Sequence, residues 1–362
     1  MSNIVVVGAG ILGLTNALNL LKLDESNKVT VVAQHFPTDF EFKNIYTSPI
    51  AGANWCSFAK KDDLVVQEID KIGYRKFYKF IKEQPEAGVT QRIDVAYVTH
   101  EKFKKDGYVK ELPWFGFGEF AKEIGFRELK EDEFDNKKFA YGYEFNGMVI
   151  RTSYYMTFLI NECWKLSGAA EGPNARFSIK RGTVNALKEA FQLHSSGNEA
   201  DFVINCTGLN VRQLEDIENY EKRKMFPIRG VVYVAKNTTG ISKITSVEAG
   251  LDDEMLYIMP RREGELIIGG CFQIGNESRN VEVELRDRIL GRCIKFLPQF
   301  KWDGLEIIRE QVGFRPARKG GFRIERTGKI IHCYGVGGSG FQSSWGCADK
   351  VAQLLYQNVS KL

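Results

Sequence analysis

Apolar positions along this 362-residue chain repeat with two different periods. Ile4-Val5-Val6-Val7 is a β-branched run that predicts a buried strand. Leu12, Ala17, Leu18 and Leu21 then recur at helical spacing, and Val29 to Ala33 form a second apolar run. Helices are predicted over 62–83, over Tyr154 to Leu166, over Leu285 to Leu297 and over Gln342 to Tyr356. Strands are predicted at Ile93 to Thr99, Asp201 to Gly208 (ending in a small-residue turn) and Lys329 to Tyr334. Ile228 to Ala235, Met255 to Met259 and Glu265 to Ile268 read as strands of a second sheet. The last two form a hairpin about the charged turn Arg261-Arg262-Glu263-Gly264. Residues 36–59 read as a loop. The Gly, Ala and Asn bunched in it suggest backbone lying against a ligand.

The order strand, glycine loop, helix, strand at the N-terminus carries chemistry. Gly8-Ala9-Gly10-Ile11-Leu12-Gly13 is a G-x-G-x-x-G in the context that gives this motif meaning. Gly8 permits the tight turn, Gly10 lets backbone approach a pyrophosphate, and Gly13 lets the helix lie close to the strand. The helix amides face the phosphate charge. About 20 positions on, where an acid commonly binds the ribose, the chain has Gln34 followed by His35. Gln can still donate to and accept from hydroxyls. No Arg adjoins it to favour a 2′-phosphate. The expected ligand is a dinucleotide.

Bulk properties exclude several classes. Hydrophobic content of 43%, charged content of 27% and a net charge of +4 are globular values with no nucleic-acid footprint. The length suits two closely packed domains. Seven cysteines stand singly with no C-x-x-C, which points to a reducing compartment, and four histidines at no ligand spacing make a metal site unexpected. The first strand begins at residue 3, which speaks against a cleavable signal peptide, and no apolar run reaches the ~20 residues of a membrane span. The chain ends Ser360-Lys361-Leu362, the tripeptide read as a peroxisomal address. The expected location is the peroxisome matrix, the expected partner is the import receptor, and peroxide-forming chemistry becomes plausible.

A second glycine-rich loop, Gly335-Val336-Gly337-Gly338-Ser339-Gly340, opens the last predicted helix. Its amides and the helix dipole suit negative charge on a reduced flavin ring. Shortly before it, Gly313-Phe314-Arg315-Pro316-Ala317-Arg318 presents Arg315, whose fork can hold a carboxylate with two parallel bonds.

These segments together resemble the FAD-dependent D-amino-acid oxidase family, its fungal (yeast) members in particular. The stretches that carry the resemblance include Tyr46 to Trp55, Val203 to Gly208, Tyr257-Ile258-Met259-Pro260 with Gly269 to Gln273, and Gly313 to Arg318 followed by His332-Cys333-Tyr334-Gly335. It covers nearly the whole chain. It implies a mixed α/β fold: a Rossmann-like FAD domain with an interleaved mixed-sheet substrate domain. The FAD domain would take 1–60, 151–212 and 313–359, and the substrate domain 213–312. Residues 61–150 would belong mostly to the substrate domain with a connecting helix, and 360–362 would be the targeting tail.

The resemblance also implies roles. Arg315 and Tyr257 would hold a substrate carboxylate, and the Gly338 carbonyl, with Gln342 close by, the amine. Phe58 and Phe272 would line the side-chain pocket. Gly8, Gly10, Ile11, Leu12, Gly13, Gln34, His35, Ala51, Gly52, Asn54, Val184, Thr207, Gly208, Gly337, Gly338, Gly340 and Gln342 would surround FAD. The implied reaction is oxidative deamination of neutral D-amino acids by hydride transfer to flavin, with oxygen as acceptor and without a protein acid or base. D-aspartate oxidase is the nearest alternative, disfavoured because Phe272 stands where that family tends to carry Arg. Glycine or sarcosine oxidase, a nicotinamide dehydrogenase and a non-catalytic nucleotide-binding peroxisomal protein are weaker ones. A homodimer stays open, because the segment from Arg318 to His332 is shorter than the loop some fungal relatives use to dimerise.

Overall fold

A computed structural model describes residues 2–39, 46–168, 172–300 and 302–356. Its first sheet grows from the N-terminal βαβ unit: β1 (Asn3–Val7), α1 (Ile11–Leu23) and β2 (Lys28–Ala33). β1 pairs in parallel with β2 on one side and with β7 (Phe202–Asn205) on the other. β6 (Phe177–Arg181) extends the sheet beyond β2, and β15 (Ile330–Tyr334) and the antiparallel β14 (Arg323–Thr327) extend it beyond β7. The order is β14-β15-β7-β1-β2-β6. Val5 and Val6 of the central strand are fully buried, as expected for a parallel strand covered on both faces.

Helix α1 is buried along nearly its whole length, because it is clamped against both α3 (Thr152–Ser167) and α5 (Gly340–Tyr356). Helix α2 (Leu64–Glu83) starts on a side-chain cap, Asp63 accepting from the Val66 amide at 3.0 Å, and it crosses α5 at two glycines. A Cβ on Gly73 would lie 1.8 Å from the Gln342 carbonyl oxygen, and one on Gly346 would lie 2.3 Å from that of Ile69. Backbone-to-backbone contact between these helices fixes where α5 begins.

The second sheet has nine strands in the order β12-β8-β11-β10-β9-β3-β5-β4, with β13 also pairing β8. They are β3 (Val89–Thr99), β4 (Arg127–Glu128), β5 (Phe139–Ile150), β8 (Met225–Lys236), β9 (Ile244–Glu248), β10 (Glu254–Pro260), β11 (Glu265–Cys271), β12 (Gln273–Ile274) and β13 (Ile307–Arg318). Helix α4 (Val283–Phe296) covers β10 and β11 through Leu285, Ile289 and Phe296. β13 runs along β8 from Ile307 to Arg318, with one register shift between Ile307 and Arg309. The domain boundary expected at 312/313 therefore falls inside one strand, and residues 313–318 belong to the second sheet. The reason is that Arg315 and its neighbours continue the β8 ladder before the chain returns to the first sheet at β14.

Candidate active site

All parallel strands of the first sheet end on one edge, where Gly8, Gln34, Cys206 and Gly335 leave the sheet together. Ligands sit at such an edge. From it a cavity of about 570 Å³ runs beneath the second sheet as far as Tyr257, Phe272 and Arg315. Its size is that of a cofactor or small-molecule site.

At the first-sheet end lie the glycines of the first loop. Gly8 has φ +108°, and a Cβ there would meet the Cys206 carbonyl oxygen at 2.5 Å. A Cβ on Gly10 would come within 3.2 Å of Ser48 Oγ, and that hydroxyl accepts from the Ile11 amide at 3.1 Å. Gly8, Gly10, Ile11, Leu12, Gln34, His35, Val184, Thr207 and Gly208 all line the cavity. Gly13 does not. It works one layer deeper, because its Cβ would lie 1.8 Å from the Gly8 carbonyl oxygen. Asn205 orients Thr207 by accepting from its amide (3.2 Å) and hydroxyl (2.8 Å). His332, beside Asn205, is buried and its pKa is pushed down to about 4, so it is a neutral hydrogen-bonding partner.

The loop before α2 forms the middle of the cavity with Ala51, Gly52 and Asn54. Side-chain hydrogen bonds hold it. Thr152 Oγ1 donates to the Pro49 carbonyl at 2.9 Å, Thr47 Oγ1 donates to the Phe314 carbonyl at 2.8 Å, and Arg261 Nη2 donates to the Gly52 carbonyl. Arg261 reads in the sequence as part of a charged turn, yet it is 6% exposed and its Nη1 pairs with Glu265 at 3.0 Å. Trp55 is fully buried among Tyr74, Phe115, Phe120 and Phe145, so the loop is pinned to the core at this end.

Opposite lies the second glycine loop. Gly335 and Gly337 have φ of +84° and +56°, which favours glycine, and Gly337, Gly338 and Gly340 line the cavity where α5 begins. Gln342 also lines it, but its amide is engaged. Nε2 donates to Asp70 at 3.1 Å, and Oε1 accepts from the Cys56 amide at 3.4 Å. These bonds fix the Gln342 side chain in place at the cavity wall. Ser57 and Ser343 donate to the same buried Asp70 carboxylate, whose pKa is raised chiefly by burial.

At the far end, Arg315 lies across the bare Cα of Gly230, where a Cβ would stand 2.5 Å from both Nη atoms. Its Nη1 donates to the Cys271 carbonyl at 3.0 Å and to that of Arg229 at 3.3 Å, and its guanidinium sits 4.5 Å from the Phe272 ring centroid. Tyr257 projects beside it, with its hydroxyl pKa raised by burial against the pull of Arg315. Glycines at 269 and 270 leave room for the Tyr257 ring. Phe58 also lines the cavity, with 59% of its surface exposed. Its neighbours Ser57 and Trp55 are buried in the core instead. Asp94, absent from the sequence reading, lines the cavity from β3, buried and accepting from Asn54 Nδ2 at 3.1 Å. Burial raises its pKa to about 7. The only sequence signal for it was an acid within an alternating strand.

The geometry joins a glycine-lined cradle at the ends of the parallel strands to an arginine and a tyrosine at the far end. Comparison with known proteins decides the family. The family model described as FAD dependent oxidoreductase matches residues 3–354. A D-amino-acid oxidase of Fusarium vanettenii is 35% identical, over 98% of this chain and 97% of its own length. The chain belongs to the D-amino-acid oxidase family of FAD-dependent oxidoreductases. A family member from Schizosaccharomyces pombe, also a D-amino-acid oxidase, is 32% identical over 96% of this chain and 94% of its own. A D-aspartate oxidase of Talaromyces thermophilus is 27% identical over 97% and 94%. Among solved structures, glycine oxidase from Geobacillus kaustophilus shares the fold with a TM-score of 0.71 at 15% identity, over 100% of this chain and 96% of that one.

The cradle fits the family's cofactor. Side chains at Gly8, Gly10 or Gly52 would crowd the Cys206 carbonyl, Ser48 or Met259, and the glycine loop at α5 adds backbone amides at a helix start. Among the described residues no cluster could hold a metal ion, and no helix is long and apolar enough to cross a membrane.

Proposed function

We propose that this protein oxidatively deaminates neutral D-amino acids with FAD. The single observation behind this reading is the pairing of Arg315 with Tyr257 at one end of the cavity whose other end is the glycine cradle. A non-catalytic nucleotide binder has no use for that clamp. Arg315 and Tyr257 hold the substrate carboxylate, and the Gly338 carbonyl accepts from the amine. The fixed pose places the α-carbon over the middle of the cavity, between the 51–54 loop and the start of α5. FAD, when bound, supplies the hydride acceptor and passes the electrons to oxygen. The balance is one amino acid, one oxygen and one water giving 2-oxo acid, ammonia and hydrogen peroxide. The Arg315 guanidinium and the Tyr257 hydroxyl, which burial keeps protonated, are donors suited to holding a carboxylate. Aerobic incubation with D-methionine is expected to yield hydrogen peroxide and 2-oxo acid one to one, and L-methionine none. Equal turnover of both enantiomers, or none of D-methionine by FAD-loaded protein, would refute the reading.

Phe272 supports neutral over acidic substrates, since a second carboxylate in a buried pocket needs a cation. Arg279 lines the cavity from an exposed loop, at its open edge. In Phe272→Arg the ratio of kcat/KM for D-aspartate to that for D-alanine is expected to rise about tenfold, equivalent to about 1.4 kcal/mol, with a loss of stability. A wild type that already prefers D-aspartate makes the protein a D-aspartate oxidase.

Peroxisomal residence through Ser360-Lys361-Leu362 and the import receptor is part of the same proposal, because a peroxide-forming enzyme suits that compartment. The tripeptide lies outside the described residues. Deleting it removes no cavity-lining residue, so a tagged variant is expected in the cytosol with its activity intact. Continued punctate import would show that the address lies elsewhere. A homodimer is compatible with this reading and is decided by sedimentation.

A further inference from the structure

The face of the second sheet that roofs the cavity carries an acid the oxidase reading leaves idle. Tyr257 of β10 pairs with Ser246 of β9, and Ser246 pairs with Ala96 of β3. Asp94, two residues before Ala96, therefore projects from the same face as Tyr257. With strands about 4.8 Å apart and about 3.3 Å per residue, the two Cα atoms are separated by about 12 Å. Between them the roof carries Ile244, opposite Asp94 on β9, Met259 next along β10 from Tyr257, and one polar group, the Ser246 side chain of β9. The Asp94 side chain is 3% exposed, yet it borders the cavity.

A carboxylate accepts as many as four hydrogen bonds. Among the described residues Asp94 accepts one, from Asn54 Nδ2. No cation contributes to the state of its carboxyl, which burial raises and Asn54 alone lowers. A buried carboxylate without a cationic partner is costly, and a cation delivered by a ligand would offset that cost. The titratable groups that feel it, Cys56 and Tyr143, carry no positive charge.

Resting on the oxidase reading above, we propose that Asp94 is a specificity-determining residue that receives a cationic side-chain terminus, so that D-amino acids ending in an ammonium or guanidinium group are substrates. The carboxylate end of such a substrate stays at Arg315 and Tyr257. Its methylenes run along Ile244 and Met259, and its terminus meets Asp94. A short side chain leaves the span open and gains nothing from Asp94. The same carboxylate repels acidic side chains, adding to the selectivity attributed to Phe272.

The test uses the FAD-loaded enzyme and two substrates with the same four-carbon side chain, D-lysine and D-norleucine, which lacks the ammonium. In the wild type kcat/KM for D-lysine is expected to equal or exceed that for D-norleucine. Asp94→Asn keeps an oxygen for the Asn54 amide and removes the charge, so a merely structural role would leave the ratio alone. The expected change is a fall of tenfold or more in the D-lysine to D-norleucine ratio. A smaller fall, or a wild type that prefers D-norleucine, overturns the proposal, and the wild-type comparison decides it should the variant not fold. D-alanine separates the two failures. Turnover of D-alanine with a preference for D-norleucine removes Asp94's role only, whereas no turnover of any D-amino acid removes the oxidase reading as well.

Discussion

Arg315→Lys is expected to retain FAD and lose most of its activity. The guanidinium is held flat over Gly230 by bonds from Nη1 to the Cys271 and Arg229 carbonyls and by the Phe272 ring, with Tyr257 beside it. A lysine ammonium is one point of charge and cannot both keep those carbonyl bonds and grip a carboxylate with two parallel ones. Truncating one partner of a buried charged pair costs about 2–5 kcal/mol, hence a fall in kcat/KM of roughly 30-fold to several thousand-fold. The cradle glycines are at the other end of the cavity, so visible flavin absorbance should match the wild type. Steady-state kinetics with D-alanine at equal flavin content measure this. An unchanged kcat/KM would remove Arg315 from the site.

Gly13→Ala is expected to abolish cofactor binding, although residue 13 does not border the cavity. The added carbon would sit 1.8 Å from the Gly8 carbonyl oxygen and 3.0 Å from its carbon. Both obstacles are backbone, so the start of α1 must move off β1 and carry the Gly8–Gly10 turn with it. Gly10→Ala provides the contrast. Its Cβ would meet only Ser48 Oγ, at 3.2 Å, which a side-chain rotation can relieve. The Gly13 variant should contain less than about a tenth of the wild-type flavin after purification and melt at a lower temperature, as expected for overpacking a close helix–strand contact. The Gly10 variant should keep a larger share. Comparable flavin content in Gly13→Ala and wild type would mean that the helix–strand contact is softer than its geometry implies.

The features legible in the sequence are those whose cause is local. The βαβ unit follows from an apolar run, a glycine turn and an amphipathic helix within thirty-odd residues, and each of those residues acts on its near neighbours. Arg315 and Tyr257 stood out through their flanking motifs. What escaped depends on sheet register and on contacts between distant segments. Asp94 reaches the cavity because β3 lies two strands from β10, a neighbourhood that no spacing within β3 reveals. Arg261 looked like part of a solvated turn, but the turn folds back on the 51–54 loop and buries it against the Gly52 carbonyl. Gln342 sits where expected at the head of α5, and only the α2–α5 crossing shows that Asp70 holds its amide. The boundary at 312/313 failed for the same reason, since β13 is one strand on account of its partner β8.

The most direct test of D-amino-acid oxidation by this chain is a visible spectrum of the purified, FAD-loaded protein before and after anaerobic addition of D-alanine. The flavin bands are expected to bleach with D-alanine and D-methionine and to persist with the L-enantiomers. A protein that holds FAD and keeps its full spectrum with every neutral D-amino acid would contradict that activity.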